Sequence, residues 1–163
     1  MINAIFFYQI ARWLYIHHVP LLPKLFQLLI FFMYNSKIPP TAQIGKGTSC
    51  ICGGLSVCVH NNAVIGKNCK LGFHCCIVGK TPYKEVAQIG DDVFIGHNTV
   101  ICGPVKIDDG AIIANSAVVM KSVPKNAIVA GIPAKIVGYR DELSYNFLGE
   151  NSLKEGFMPY MSK

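Results

Sequence analysis

The chain has 163 residues, 52% of them hydrophobic and only 15% charged. That length suits one domain of ordinary size, and the apolar content excludes a disordered chain. A formal charge of +6 is compatible with nucleic acid, an anionic membrane, a phosphate-rich ligand or a merely basic surface, and charge alone does not choose among them.

Seven cysteines are an odd number with no C-x-x-C pair among them. This argues against a disulfide framework and for a reducing cytoplasm, with most cysteines acting as small core residues. Cys50-x-Cys52 and Cys75-Cys76 are too closely spaced for a zinc site. The opening MINAIFFYQIARW has no early positive cluster and no A-x-A site behind it, so it does not read as a signal peptide. The best apolar run, Leu25 to Tyr34, is half of the roughly 20 residues a spanning helix needs.

Residues 1–35 read as an N-terminal helical segment of two short helices. The first runs from Asn3 to His17 and carries Ile5, Phe6, Ile10, Trp13 and Leu14. The second starts after Pro23 and is apolar nearly all round, so it requires a cover. Its own domain or a neighbouring subunit would serve. A peripheral membrane contact is the other reading, with Arg12, His17, His18 and Lys24 near the headgroups.

From residue 36 to 140 a six-residue period takes over. The hexapeptides IGKGTS, VHNNAV, IGKNCK, LGFHCC, IGDDVF, IGHNTV, ICGPVK, IDDGAI and IANSAV all lead with an aliphatic residue. The fifth position is small or β-branched: Ala42, Thr48, Ala63, Cys69, Cys75, Val93, Thr99, Val105, Ala111, Ala117 and Val123. Neither a helix nor a flat strand asks for that period. Short strands joined by corners, three to a coil, do, and lead and fifth residues then point into a prism. Glycine recurs at the second position (Gly45, Gly66, Gly72, Gly90, Gly96), where we expect corners with unusual backbone angles. Residues 141–163 leave the repeat as a C-terminal tail that either caps the last coil or stays loose.

The repeats, followed by VPKNAIVAGIPAKIVG (Val123 to Gly138), resemble the hexapeptide-repeat acyltransferases. The closer likeness is to the serine acetyltransferase-like branch, which includes sugar O-acetyltransferases of surface-polysaccharide clusters; it covers roughly residues 8 to 140. The resemblance implies an all-β core built as a left-handed parallel β-helix, against the usual crossover hand. It also implies a homotrimer, with acetyl-CoA as co-substrate in the groove between prisms; the cysteines point to a cytoplasmic protein, and the helices allow it a peripheral place at the inner face of the membrane.

Transfer of an acetyl group to a hydroxyl needs a base, and histidine suits that task near neutral pH. His17 and His18 belong to the helices. His60, in GGLSVCVHNNAVIG, resembles a segment of the family and is the first choice of base; His74 and His97 read better as groove-lining residues. The period breaks at GKTPYKEVAQ (Gly79 to Gln88), and a loop that interrupts a regular scaffold is a natural carrier of function. Glu85 is its one carboxylate and is placed to orient a histidine, or else is simply exposed. By resemblance, Gly79, Gly96 and Ala114 meet the pantetheine arm of the co-substrate, and Lys121 and Lys135 its phosphates.

The chain also departs from true serine acetyltransferases. Their Asp–His pair falls where this chain reads ICGG (Ile51 to Gly54), which puts Cys52 or Gly53 at the histidine. A further family aspartate falls near Lys37, and the histidine of their loop near Tyr83. These changes weigh against serine and towards a hydroxyl of a sugar or surface-polysaccharide precursor. Serine O-acetylation and a non-catalytic β-helix scaffold remain the alternatives, and an acyl group carried on Cys52 is a minor one. The acceptor would be a small molecule or glycan. No H-x-x-x-x-H occurs for a carbonic-anhydrase-like metal site, so no metal is expected. No basic–aromatic pattern or Gly-rich nucleotide motif speaks for nucleic acid.

Overall fold

A computed structural model describes residues 2–82 and 84–142; the tail from residue 143 lies outside them. Helix α1, Ala4–Ile16, starts on Asn3, whose side chain accepts the Ile5 amide at 3.1 Å. Helix α2 spans Leu22–Tyr34 and ends on Asn35 in a left-handed conformation. It begins one residue before Pro23 and not after it, because the first helical turn has no amide to lose to a proline.

The chain then winds into coils of three short strands. Coil one holds β1 (Gln43–Ile44), β2 (Ser49–Cys50) and β3 (Cys58–Val59). Coil two holds β4 (Val64–Ile65), β5 (Lys70–Leu71) and β6 (Cys76–Val78). In coil three come β7 (Gln88–Ile89), β8 (Phe94–Ile95) and β9 (Val100–Cys102), and in coil four β10 (Lys106–Ile107), β11 (Ile112–Ile113) and β12 (Val118–Val119). Finally β13 (Ala127–Ala130) pairs antiparallel with β14 (Lys135–Tyr139). The strands of successive coils pair in parallel, giving three sheets ordered β1-β4-β7-β10, β2-β5-β8-β11-β13-β14 and β3-β6-β9-β12. This is the left-handed, three-sided β-helix that the period calls for.

Register explains the core. Leu71, Ile95, Ile113 and Val129 stand in one column, and Val59, Ile77, Ile101 and Val119 in another. All of these are buried, as is every fifth-position residue from Ala42 to Val123. The buried hydroxyls are satisfied: Thr48 Oγ1 donates to the Gly66 carbonyl at 2.7 Å, and Thr99 Oγ1 to that of Gly96 at 2.7 Å.

The corners are built differently from expectation. The left-handed residue is the fourth of the hexapeptide, not the second: Asn68, His74, Asp92, Asn98 and Ser116 have φ of 55 to 59°. Asn and Asp tolerate this region well, through local hydrogen bonding. The second-position glycines have another cause. A Cβ on Gly45 would stand 2.5 Å from the Gly66 backbone, and one on Gly72 2.5 Å from that of Gly96. They are glycine because successive coils touch there. Third-position side chains tie the coils together. Asp109 Oδ1 accepts the Asp91 amide at 2.8 Å, and Asp91 Oδ1 accepts that of Lys67 at 2.7 Å.

Helix α1 closes the first coil. Ala4, Ile5, Tyr8 and Ala11 are buried against it. The Tyr8 hydroxyl donates to the Ala42 carbonyl at 2.7 Å and accepts the Ile44 amide at 3.1 Å. Arg12 donates to the Pro40 and Thr41 carbonyls. Helix α2 rests on α1 through a narrow stripe and buries only Pro23, Ile30 and Tyr34. The full cover expected for its apolar surface is absent within the described chain.

Because Ile101 is fully buried in the middle of its column, Ile101→Ala should lower unfolding free energy by about 2–5 kcal/mol. A urea titration followed by far-UV circular dichroism measures this.

Candidate active site

One edge of the prism carries several of the candidate residues. It follows β3, β6, β9 and β12 in successive coils, so it carries His60, then Gly79 and Lys80, then Gly103, then Lys121. Backbone bonds fix the stacking: the His60 amide donates to the Ile77 carbonyl at 2.9 Å, and the Gly103 amide to that of Val78 at 3.0 Å.

His60 is half-buried at the lower end of this edge. Its Nδ1 accepts the Asn62 amide at 3.1 Å, so a neutral ring in this pose carries its proton on Nε2. Nε2 faces Gly79, lying 3.7 Å from the point a Cβ there would occupy; Val86 Cγ1 lies 3.6 Å from the same point. The bare α-carbon of Gly79 therefore keeps open the space beside the imidazole.

The loop 79–88 leaves the prism here. It lengthens its coil, so Ile77 pairs with Ile101, whereas Ile95 pairs with Ile113 without an insertion. Val86 and Ala87 turn back into the core, while Glu85 is exposed. Glu85 makes no hydrogen bond to His60, whose Nδ1 is engaged by Asn62. The position of Tyr83 lies outside the described residues.

Higher on the edge lies a groove of about 650 Å³. Lys80, Lys121 and Lys135 all line it, with Met120, Pro133 and Ile136 among the apolar residues. No acidic residue among those described lines it. Lys80 reaches it from the loop by packing its stem near Gly103, where an added Cβ would meet Lys80 Cβ at 3.1 Å. Three cations over an apolar trough fit a ligand that combines phosphates with a long, weakly polar arm. His60 lies three coil steps below Lys121, roughly 14 Å at a spacing of about 4.8 Å per strand.

The structure brings His60 beside Gly79, and Lys121 beside Lys135. It puts Gly96 and Ala114 together on a different edge, the one following β8 and β11. There an added Cβ on Gly96 would stand 2.8 Å from the Ala114 carbonyl carbon and 2.6 Å from the Asn115 amide. Coil contact alone accounts for that glycine. His97 shares the edge and works as a tie: its Nδ1 accepts the Phe73 amide at 3.1 Å, and its own amide donates to Asn115 Oδ1 at 2.8 Å. Its ring stacks on Phe73 with centroids 4.2 Å apart. His74 is an exposed left-handed corner residue.

Cys52 is exposed on the tight turn Ile51–Gly54, in the left-handed region at φ 54°. Lys37 points to the helical end, where it lines a groove with Lys24 and Phe31. On the outer face of the sheet β3-β6-β9-β12, Cys58 and Cys76 sit directly opposite each other. Burial, with Cys58 and Cys102 nearby, pushes the Cys76 thiol up to about 11. Neither this thiol nor Cys50, raised to about 12 by burial, is a ready nucleophile. Among the described residues no cluster of three His, Cys, Asp or Glu could hold a metal ion. Sequence reasoning missed Lys80; its position beside Gly79, where the period breaks, was the available signal.

Residues 87–121 match the profile of the bacterial transferase hexapeptide (six repeats). Together with the prism, this makes the chain similar to the hexapeptide-repeat transferases, with serine acetyltransferases among its relatives and structural neighbours. It is 34% identical to serine acetyltransferase 4 of Arabidopsis thaliana over 83% of its own length and 38% of that protein. The crystal structure of Neisseria gonorrhoeae serine acetyltransferase superposes with a TM-score of 0.77 at 29% identity, over 84% of this chain and 54% of that one. A serine acetyltransferase solved in complex with CoA superposes at 0.74 with 27% identity, over 82% of this chain and 55% of that one. The chain thus spans between about a third and rather more than half of the length of these relatives.

If the three lysines hold phosphates, replacing any one of Lys80, Lys121 or Lys135 by Ala should weaken CoA binding by about 1 kcal/mol, roughly fivefold. Isothermal titration with CoA, repeated at raised salt, measures the loss and its electrostatic origin.

Proposed function

We propose that this chain is an acetyl-CoA-dependent O-acetyltransferase that works directly on a small hydroxyl-bearing acceptor at the edge running from His60 to Lys121. The observation that carries the reading is the groove that assembles Lys80, Lys121 and Lys135 on the same prism edge as His60. Those lysines hold the phosphates of the co-substrate, which supplies an acetyl thioester. Met120, Pro133 and Ile136 offer its arm an apolar wall.

The chemistry asked of the protein is modest. The acceptor hydroxyl gives up its proton, its oxygen bonds to the acetyl carbon, the carbon–sulfur bond breaks, and the departing thiolate takes up a proton. Nε2 of His60 is the nitrogen that faces the site. In the pose held by Asn62 it is a donor and suits a developing oxyanion. To take the hydroxyl proton, the ring must present the other tautomer and release the Asn62 amide. His60→Gln separates these roles, because an amide can donate but cannot act as a base.

Serine is the acceptor that the relatives support best. A sugar hydroxyl is the second reading, supported by Cys52 where the resemblance puts the histidine of an Asp–His pair and by Lys37 where it puts a further aspartate. Family likeness also supports a trimer, in which the edge bearing Gly96 and Ala114 would meet the lysine edge of a neighbouring copy. Seven free cysteines among the described residues and the choice of acyl donor suit a reducing cytoplasm.

We expect His60→Ala to cut turnover at least tenfold, read as CoA thiol release with acetyl-CoA and either L-serine or a nucleotide-sugar panel. Near-normal rates would move the site elsewhere. A thermal-shift titration separates enzyme from scaffold: acetyl-CoA should stabilise the wild-type protein, and no shift would remove the cofactor reading.

A further inference from the structure

We propose that the helical end of the prism is a docking surface for an anionic membrane, on which α2 lies in the plane of the headgroups. The surface is built by what α2 leaves uncovered. Leu25, Leu28, Leu29 and Phe32 are 37 to 76% exposed. With Phe26 they line a wholly apolar groove of about 310 Å³. Trp13 on α1 and Leu21 on the connecting turn are also exposed, at 59% and 78%. A contiguous apolar surface rimmed by polar groups marks a site of interaction.

Charge identifies the occupant. Lys24 and Lys37 line the groove on the neighbouring flank, beside Leu28 and Phe31. In residues 1–84 the sequence has eight Lys or Arg and no Asp or Glu, and all nine acidic residues come from Glu85 onward. The formal +6 is therefore +8 in the first 84 residues and −2 in the rest. Asp91, Asp92, Asp108 and Asp109 sit on corners of coils three and four, away from the helices. A second copy laid on the same face would bring cation against cation. A bilayer surface rich in anionic lipid accepts the apolar side chains and the lysines together. None of the described helices is long and apolar enough to cross a membrane.

The test is flotation of the full chain with vesicles of phosphatidylcholine alone, or with about one third phosphatidylglycerol. The protein should float with the anionic vesicles and stay at the bottom with neutral ones. Trp13 is the one tryptophan of the sequence, so its emission should shift to the blue with anionic vesicles only, a readout that needs no variant. Leu25→Glu with Phe32→Glu should abolish flotation, and Lys24→Glu with Lys37→Glu should reduce it at least tenfold. All four side chains are exposed, so circular dichroism melts should match the wild type. The proposal is overturned if the wild type fails to float with anionic vesicles, floats equally with neutral ones, or floats unchanged with both pairs replaced. A wild type that does not float, but whose oligomer mass falls on Leu25→Glu with Phe32→Glu, would assign the face to a second copy.

Discussion

Everything in this molecule depends on coils lying directly on coils. Parallel pairing sets lead residue over lead residue, so that Leu71, Ile95, Ile113 and Val129 form one continuous column. A slip of one residue would turn each buried side chain outwards. The same contact decides the corners. Backbones meet closely enough at Gly45, Gly66, Gly72, Gly90 and Gly96 to exclude a Cβ, while Asp91, Asp109, His97 and Asn115 bind the amides of the neighbouring coil. Inside and edge are thus both committed to holding the coils together.

This commitment restricts where function can reside. A side chain that ties coils has less freedom to meet a substrate, and His97 spends its Nδ1 on the Phe73 amide. An outward strand position has only a flat sheet around it. The edge from His60 to Lys121 escapes both limits because the loop from Gly79 leaves there. The loop adds Lys80 to the groove above and brings Val86 close to Gly79 and His60. Lys135 arrives by a different route: β14 runs antiparallel to β13 and brings its first residue back over the fourth coil.

The period made the core legible, since aliphatic lead and small fifth residues are a direct record of what faces inward. It did not reveal why glycine fills the second position. Sequence suggested backbone freedom, whereas the structure shows contact between coils, with the left-handed residue two places later. Nor did it sort candidate residues by edge. Gly96 and Ala114 are separated by one uninterrupted coil and therefore stack, a relation readable from spacing alone. His60 and Gly79 also stack, but the insertion after Gly79 breaks the count that would link them to Lys121. Lys80 was hidden for the same reason. Charge segregation was in the sequence too, but it gained meaning only once the helices were seen to sit at one end of the prism.

The ICGG turn shows how packing and chemistry compete for the same residues. The resemblance places an acid–base pair there, yet the turn serves here as the seat of α1. Asn3 donates to the Cys50 carbonyl at 2.7 Å, and Ser36 donates to that of Gly54 at 2.5 Å. A Cβ on Gly54 would stand 2.7 Å from Ala4 Cβ, and the glycine itself has φ of 99°. A larger side chain at Gly54 would lift the helix from the prism. The left-handed Cys52 is held on the outside of the turn and buries nothing. If this chain transfers acyl groups, the turn contributes shape and the proton must move elsewhere. On the proposal above, that role falls to His60, the half-buried histidine on the edge where the loop leaves the prism.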